Sequence, residues 1–268
     1  MIEVKNVIKS FDGNVVLKGI SAVFEQGKVN MIIGPSGSGK TVLLKSIIGL
    51  HRIDSGRIEY NERNLPDMRM RDIRQLRREV GMLFQGAALF DSMTVLENVL
   101  FPLEMFSQES AETNVERAKF CLRRVNLDED KHHLMPSEIS GGMQKRAAIA
   151  RAIALQPKYL FCDEPNSGLD PKTALIIDQL IAEITHEFNI TTIVNSHDMN
   201  SIMEIGDNIV FIERGEKIWQ GNKDNIFHSD NKDLNDFVFA SDLFKKVKVS
   251  NVYQLNVKNK KMSKIICT

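Results

Sequence analysis

One glycine-rich segment constrains the fold more than any other part of the sequence: Gly34-Pro35-Ser36-Gly37-Ser38-Gly39-Lys40-Thr41. It satisfies the pattern GxxxxGK[ST]. Residues 29–33, directly before it, form a short apolar run that predicts a strand, and over 41–49 the apolar residues recur with the period of a helix. A strand, a glycine-rich loop and a helix in this order predict a P-loop. The chain is therefore expected to contain at least one strand-loop-helix unit of an α/β fold.

The same segment predicts a phosphate-binding site. Its glycines let consecutive backbone N–H groups curve around phosphate oxygens, and the start of the following helix carries about half a positive charge. The Lys40 ammonium would neutralise the terminal phosphates, and the Thr41 hydroxyl would ligate Mg²⁺. We expect the residues from Gly34 to Thr41 to bind a nucleoside triphosphate with Mg²⁺. This loop alone does not distinguish a kinase from a GTPase or an ATPase.

Composition and charge exclude several other classes of protein. Lys plus Arg is 35 and Asp plus Glu is 35, so the formal net charge is zero, which argues against binding nucleic acid by bulk electrostatics. The cysteines are not spaced for zinc and indicate a reducing compartment. No apolar run reaches the ~20 residues that span a bilayer, and the N-terminus has no signal-peptide pattern. We expect a cytoplasmic chain without spanning segments.

The first part of the chain predicts an antiparallel sheet. Residues 1–33 read as three strands with turns at 12–13 and 26–27. A helix is predicted over 68–79, and a short strand over 81–84. The arginines on one face of this helix are expected to be solvated, with a specific anionic partner as the alternative.

The remainder of the chain predicts helices and then a parallel sheet. Most of 86–157 has a helical pattern. Two apolar strands, 159–162 and 190–194, flank the amphipathic stretch 174–188, and this alternation predicts parallel strands covered by a helix. Further strands are predicted at 209–212 and 217–220.

A second chemical motif is the apolar strand that ends in two carboxylates, Asp163 and Glu164. A carboxylate in this position can hold Mg²⁺, and its neighbour can orient and deprotonate an attacking water. We therefore expect Asp163 to be a metal ligand and Glu164 to be a catalytic base. A buried strand that ends in a solvated acidic turn is the alternative for this motif taken alone.

The most specific motif is 139–146, with the sequence Ile-Ser-Gly-Gly-Met-Gln-Lys-Arg. Ser140 is expected to cap an Ala-rich helix, and Gly141 and Gly142 would leave the first N–H groups of that helix open to a phosphate. In this motif the chain resembles the ATP-binding-cassette (ABC) ATPases. The order of motifs is also similar to that family: the P-loop, Gln85, Ser140-Gly141-Gly142, Asp163-Glu164, Asp170 and His197.

The resemblance implies a role for each matching position. Phe11 would stack on the adenine of ATP, and Gln85 would contact Mg²⁺ and the attacking water. His197 would contact the γ-phosphate, and Asp170 would link the two nucleotide sites. The implied catalytic residues are Glu164, His197, Gln85 and Lys40. The implied metal ligands are Thr41, Gln85 and Asp163.

The resemblance also implies the architecture and the partners. The fold would be α/β, a P-loop NTPase (RecA-like) core with an N-terminal antiparallel β-subdomain and an inserted helical subdomain at about 86–157. The ATPase domain would cover 1–242, and a lysine-rich tail would follow at 243–268. In this family ATP lies between the P-loop of one subunit and the Ser-Gly-Gly helix of the other. A homodimer is therefore expected, docked on a separate multi-spanning permease at the inner face of the inner (plasma) membrane.

Two segments, 81–103 and 132–157, resemble a narrower group, the ATPases of the bacterial lipid-asymmetry (Mla, or Mce-associated) transporters. This resemblance implies that phospholipid moves between the inner membrane and a periplasmic carrier, through a permease with a periplasmic-side lipid-binding subunit. One alternative is an ABC importer for a small solute. A soluble cassette ATPase that acts on nucleic acid or ribosomes, and a P-loop small-molecule kinase, are alternatives from different classes. We expect no nucleic-acid partner.

Overall fold

The computed structural model describes residues 1–240 and 244–246. Within these residues the chain forms a four-stranded sheet and a six-stranded sheet with helices packed on them. The α/β fold class expected from the sequence is confirmed. The expected lysine-rich tail, 243–268, lies outside the described residues apart from 244–246, so its boundary with the ATPase domain stays a prediction.

The smaller sheet is antiparallel, with the strand order β2-β1-β4-β5. Its first hairpin joins β1 (Ile2–Phe11) to β2 (Asn14–Phe24). Asp12 and Gly13 form the turn with φ of 47° and 80°, the left-handed conformation that tight hairpin turns favour. The other two strands are β4 (Ser55–Tyr60) and β5 (Arg63–Asn64).

The larger sheet has the strand order β10-β9-β3-β8-β7-β6. Its strands are β3 (Val29–Ile33), β6 (Val80–Leu83), β7 (Tyr159–Asp163), β8 (Thr191–Asn195), β9 (Asn208–Glu213) and β10 (Glu216–Gly221). Every neighbouring pair is parallel except β9 with β10. The parallel strands expected near 159–162 and 190–194 are therefore present.

The prediction that β3 belongs to the antiparallel sheet is wrong. β3 lies between β8 and β9 in the larger sheet and is parallel to both. All of its residues are buried, and a strand covered on both faces has a continuous apolar pattern rather than an alternating one. The turn at 26–27 therefore carries the chain from one sheet to the other.

Buried side chains lie on both faces of the larger sheet. Met31 of β3 belongs to a cluster that includes residues of the long helix α6, whereas its neighbour Ile32 belongs to a second cluster with residues of α1 and of the smaller sheet. Packing on both faces holds each strand in place and so fixes the position of its carboxyl end. The helices of this part are α1 (Lys40–Ile47), α6 (Pro171–Glu187), α7 (Met199–Ile205), α8 (Lys223–His228) and α9 (Lys232–Val238).

Three further helices come after β6 and before β7 along the chain. They pack on one another and bury side chains in the same cluster as α6. They are α3 (Val95–Phe106), α4 (Ala111–Arg124) and α5 (Gly141–Ile153). α2 (Met70–Arg78) precedes β6, and its arginines are exposed. In the part of the chain that the structure describes, no helix is both long and apolar enough to cross a bilayer.

Candidate active site

The candidate site lies where β3, β8 and β7 end. These strands are parallel neighbours, so their carboxyl ends meet at one edge of the sheet, which is the usual ligand-binding edge of an open α/β sheet. The glycine-rich loop follows β3, Asp163 ends β7, and Asn195 ends β8. Asp163 and Asn195 are opposite each other in the strand register. The topology thus brings together residues that are distant in sequence.

Glycines give the loop at 34–39 backbone conformations that other residues rarely adopt. Gly34 has a φ of 146°, and a Cβ there would collide with the backbone oxygen of Ile212 on β9. Gly39, the N-cap of α1, has a φ of 103° and offers no side chain to cap the helix. The first N–H groups of α1 are therefore available to an anionic ligand.

Two polar side chains of this loop fit a phosphate ligand. Lys40 Nζ donates to the carbonyl oxygens of Gly34 at 2.8 Å and Pro35 at 3.0 Å, and burial lowers the pKa of its ammonium. Ser38 is 3% exposed, and its hydroxyl oxygen is buried without a hydrogen-bond partner. A buried hydroxyl without a partner is unfavourable, and a phosphate oxygen would satisfy it. The loop residues therefore fit the phosphates of ATP.

Side chains at the ends of β7 and β8 and at the start of α1 form an oxygen-rich cluster that fits Mg²⁺. Asn195 Nδ2 donates to Asp163 Oδ1 at 2.6 Å and to Thr41 Oγ1 at 3.1 Å, so two of the three expected metal ligands share one neighbour. The Asn195 amide oxygen is buried without a partner. Mg²⁺ prefers oxygen ligands such as carboxylates and hydroxyls. Thr41 and Asp163 would therefore fit as ligands of one Mg²⁺, and that role stays a prediction.

Glu164 and His197 form a pair beside this cluster. His197 Nδ1 lies 2.9 Å from Glu164 Oε1 and 2.8 Å from Oε2. Glu164 has a φ of 50°, a left-handed backbone conformation. The side chain of His197 is 64% exposed and that of Glu164 is 16% exposed. A water molecule can therefore reach the carboxylate, as the expected base requires.

Gln85 is placed differently from its expected role. Its Nε2 donates to Ser167 Oγ at 3.2 Å, whereas the hydrogen bonds of the described residues join neither Thr41 nor Asp163 to its side chain. Its backbone oxygen accepts from the ammonium of Lys145 on α5. The expected contact of Gln85 with Mg²⁺ stays a prediction that requires its side chain to turn.

The sequence interpretation missed Asn195 and Lys145. Asn195 could have been found, because β8 is an apolar strand that ends in a polar residue next to the strand that ends in Asp163. Lys145 lies inside the predicted helix, but it is 5% exposed, and burial lowers the pKa of its ammonium. Helical spacing in a sequence does not show that a lysine donates a hydrogen bond to the backbone of a distant loop.

Ser140 and Asp170 cap two helices that begin side by side. Ser140 Oγ accepts from the third amide of α5 at 3.3 Å, as expected, and Asp170 Oδ1 accepts from two amides of the first turn of α6 at 3.1 Å. The hydrogen bonds from α6 lower the pKa of Asp170. A Cβ at Gly142 would lie 2.6 Å from the Thr173 side chain, and one at Gly141 would lie 3.8 Å from Leu169. A side chain at Gly142 would therefore collide with Thr173, whereas one at Gly141 would make an ordinary contact.

Phe11 lies at the end of β1, in the smaller sheet. Its side chain packs edge-on against His51, with ring centroids 5.2 Å apart, and Lys9 Nζ lies 4.9 Å from its centre. Phe11 is 38% exposed, so part of its ring surface is available for stacking. The expected stacking on adenine stays a prediction.

Comparison with known proteins relates these features to one family. A sequence model of that family, described as ABC transporter, matches residues 17–167. The "Methionine import ATP-binding protein MetN" of Clostridium acetobutylicum is 37% identical over 242 residues, which are 90% of this chain and 75% of that protein. The "Probable ribonucleotide transport ATP-binding protein mkl" of Mycobacterium tuberculosis is 35% identical over 239 residues, 88% of this chain and 66% of that protein.

Solved structures share the fold. The ATP-binding cassette MJ0796, solved as a dimer in a post-hydrolysis state with ADP and Pi, has a TM-score of 0.76 and 32% identity, and the match covers 83% of this chain and 99% of that one. CbiO1 of Clostridium perfringens, part of the ABC transporter complex cbiONQ, has a TM-score of 0.78 and 30% identity, and the match covers 86% of this chain and 91% of that one. Both agree with the fold described above.

Proposed function

The chain belongs to the ABC transporter family, and we propose that two copies of it power an importer for a small solute through a separate membrane permease. As a member of this family, the chain is the ATPase of an ABC transporter. The observation that carries the ATP-hydrolysis part of this proposal is the meeting of the P-loop, Asp163 and the Glu164–His197 pair at one edge of the sheet. The names of relatives such as MetN support import of a small solute.

The Glu164–His197 pair provides the proton chemistry of hydrolysis. The Glu164 carboxylate accepts a proton from the water that attacks the γ-phosphorus of ATP, and His197 fixes the carboxylate by its hydrogen bond. Lys40 and the N–H groups at the start of α1 hold the phosphates and balance the negative charge that develops on them. Thr41 and Asp163 would hold Mg²⁺, which would supply positive charge to offset the charge that develops on the phosphates.

A second copy of the chain is proposed to complete each site. The start of α5 contacts Leu169 and Thr173, at the surface where Asp170 caps α6. No hydrogen bond among the described residues joins Ser140 to the P-loop of its own chain. A second copy would bring Ser140 and the free amides of α5 to the phosphates. The dimeric structure of MJ0796 supports this arrangement.

An apolar groove between β6 and α3 is proposed to receive the permease. It has a volume of about 300 Å³, and its lining includes Phe84, Phe90 and Phe106, which are 43%, 41% and 44% exposed. Exposed aromatic side chains grouped in one groove are typical of protein interfaces. Docking there would hold the chain at the cytoplasmic face of the membrane.

The small-solute importer is better supported than the phospholipid transporter expected from the sequence. That expectation rests on segments 81–103 and 132–157, and both contribute residues to the groove proposed for the permease. A resemblance in these segments indicates a similar contact with the permease and does not identify the cargo. MetN is named for methionine import and mkl for ribonucleotide transport. Amino acids are therefore the first class of cargo to test.

Purification of the chain together with its co-encoded membrane partners would test the cargo. The complex, placed in lipid vesicles, should take up a small solute such as an amino acid when ATP is supplied. Uptake should be lost in the Glu164→Gln complex, because its carboxylate no longer accepts a proton from water. A Glu116→Gln complex should keep its uptake, since Glu116 is an exposed glutamate of α4 that pairs only loosely with Lys119.

The same preparation distinguishes the two cargo classes. Phospholipid that co-purifies with the complex, together with lipid transfer that requires Glu164, would overturn the importer and favour the lipid transporter. Uptake of an amino acid without lipid transfer would confirm the importer. In either case the chain would remain the ATPase of a transporter.

A further inference from the structure

A buried polar cluster lies beneath two loops of the candidate site. Asn166 Nδ2 donates to Ser201 Oγ at 2.6 Å and lies 3.4 Å from a carboxylate oxygen of Asp178 and of Asp198. Ser201 Oγ is 3.3 Å from Asp198 Oδ2. Asn166, Asp178 and Ser201 are 8%, 3% and 1% exposed. These four residues are called the Asp178 cluster below.

Asp178 is the least favourable member of the cluster to bury. Among the described residues no lysine or arginine pairs with it, and its Oδ1 is buried without a hydrogen-bond partner. The titratable groups that face it are the carboxylates Asp198 and Glu204 and the buried thiol of Cys162. Burial raises the pKa of Asp178 to about 6; Asp198 and Glu204 add to the rise, whereas hydrogen bonds from Ser201 and Asn166 oppose it. The ionised form of Asp178 is therefore costly to bury.

The cluster connects two segments of the chain that carry residues of the candidate site. Asn166 lies in the loop between Glu164 and Asp170, the residue that caps α6. Asp198 directly follows His197 and caps α7. Asp178 lies inside α6 and lines a cavity of about 840 Å³ between these segments. The Asp178 carboxylate therefore lies against the loop that follows Glu164 and against the start of α7, which follows His197.

We propose that Asp178 is a positioning residue for ATP hydrolysis. Through Asn166 and Ser201 it ties the loop after Glu164 to the start of α7. Because Oδ1 is an unused acceptor, the Asn166 amide can move between the two oxygens of one carboxylate and keep a partner as the loop shifts. The inference rests on the proposed function, since the reaction that it serves is hydrolysis at Glu164.

Asp178→Asn is the first test of this role. The asparagine side chain has the same shape but only one acceptor oxygen. The Asn166 amide therefore loses the second oxygen to which it could donate. We expect kcat for ATP hydrolysis to fall by about tenfold to 10²-fold, the cost of small errors in position, with an unchanged Kd for ATP. We also expect a higher unfolding midpoint at about pH 7.5, because a buried unpaired carboxylate is removed.

The stabilisation expected from Asp178→Asn should depend on pH, and it should be greater at higher pH. The pKa of Asp178 is raised from 3.8 to about 6 in the folded protein, so the folded state of the wild type loses stability as pH rises through this range. Asp178→Asn removes that loss. The difference in unfolding midpoint between the two proteins should therefore be large at about pH 7.5 and should shrink toward about pH 4.

Thr185→Val is the matched structural control. Thr185 is also a buried polar residue of α6, and its hydroxyl bonds Ile181 and Thr192 away from the cluster. This variant should have a lower unfolding midpoint and an unchanged kcat. A residue that only supports the fold would behave like Thr185, whereas Asp178→Asn is expected to be more stable and slower.

A second variant, Ser201→Ala, tests the same connection with a smaller change. It removes the hydroxyl that joins Asn166 to Asp198 and should lower kcat without changing the Kd for ATP. Normal kcat in both variants, or a loss of kcat in Asp178→Asn that accompanies a lower midpoint, would overturn the inference and leave the proposed function standing. A wild-type chain that hydrolyses no ATP, alone or with its permease, would overturn the proposed function itself.

Discussion

Glu164→Gln should reduce ATP turnover by about 10²- to 10⁴-fold, the usual contribution of a positioned acid or base. The amide keeps the size of the carboxylate and its hydrogen bond to His197, but it accepts no proton from the attacking water. Affinity for ATP should stay unchanged, because the phosphates are held by the loop at 34–41. Phosphate release at saturating ATP and a separate binding titration would measure the two effects.

Glu116→Gln is the control for this experiment. It makes the same chemical change at an exposed position of α4 and should leave turnover unchanged. Near-normal turnover in Glu164→Gln would show that another group takes the proton. In that case the left-handed backbone of Glu164 and its contact with His197 would need a different explanation.

Lys40→Ala should instead weaken the binding of ATP, by about 10- to 10²-fold in Kd, because a hydrogen bond to a charged group contributes about 1.5–3 kcal/mol. Lys40 is 8% exposed, and its ammonium already bonds two carbonyl oxygens of the loop, so it is held where the phosphates are expected. Isothermal titration with ATP would measure the change.

Lys45→Ala provides a matched control in the same helix. Lys45 lies in the last turn of α1, at the opposite end from the P-loop, and its removal should leave the Kd for ATP unchanged. Equal affinities of the Lys40→Ala and wild-type proteins would contradict the assignment of the loop. Equal losses in the Lys40→Ala and Lys45→Ala proteins would indicate a general effect of charge instead.

The residues that sequence reasoning located are those whose role depends on local order. The P-loop is recognisable because strand, glycines and helix are adjacent along the chain. The same holds for the carboxylates that end β7 and for the Ser140 cap of α5, which the structure shows bonding as expected. Each of these features needs only a few neighbouring residues to be defined.

The features that were missed either depend on contacts between distant segments or are too short to give a sequence pattern. β3 was assigned to the wrong sheet because its five buried residues have no alternating pattern to distinguish neighbouring sheets. α7, α8 and α9 have seven residues or fewer, too short for helical periodicity to be distinctive. Asn195 and Asp178 are distinguished by their hydrogen-bond partners and not by any pattern in the sequence. Their partners are on strands and loops that only the fold brings together.

The most direct test of the account is the mass of the Glu164→Gln protein with and without ATP, measured by light scattering. If ATP is held between the P-loop of one copy and Ser140 of the other, the protein should have the mass of one chain without ATP and of two chains with it, since slow hydrolysis keeps the dimer closed. Adding Ser140→Arg should abolish the dimer while ATP still binds. A Glu164→Gln protein that binds ATP but stays a monomer, even with its membrane partner present, would contradict the account.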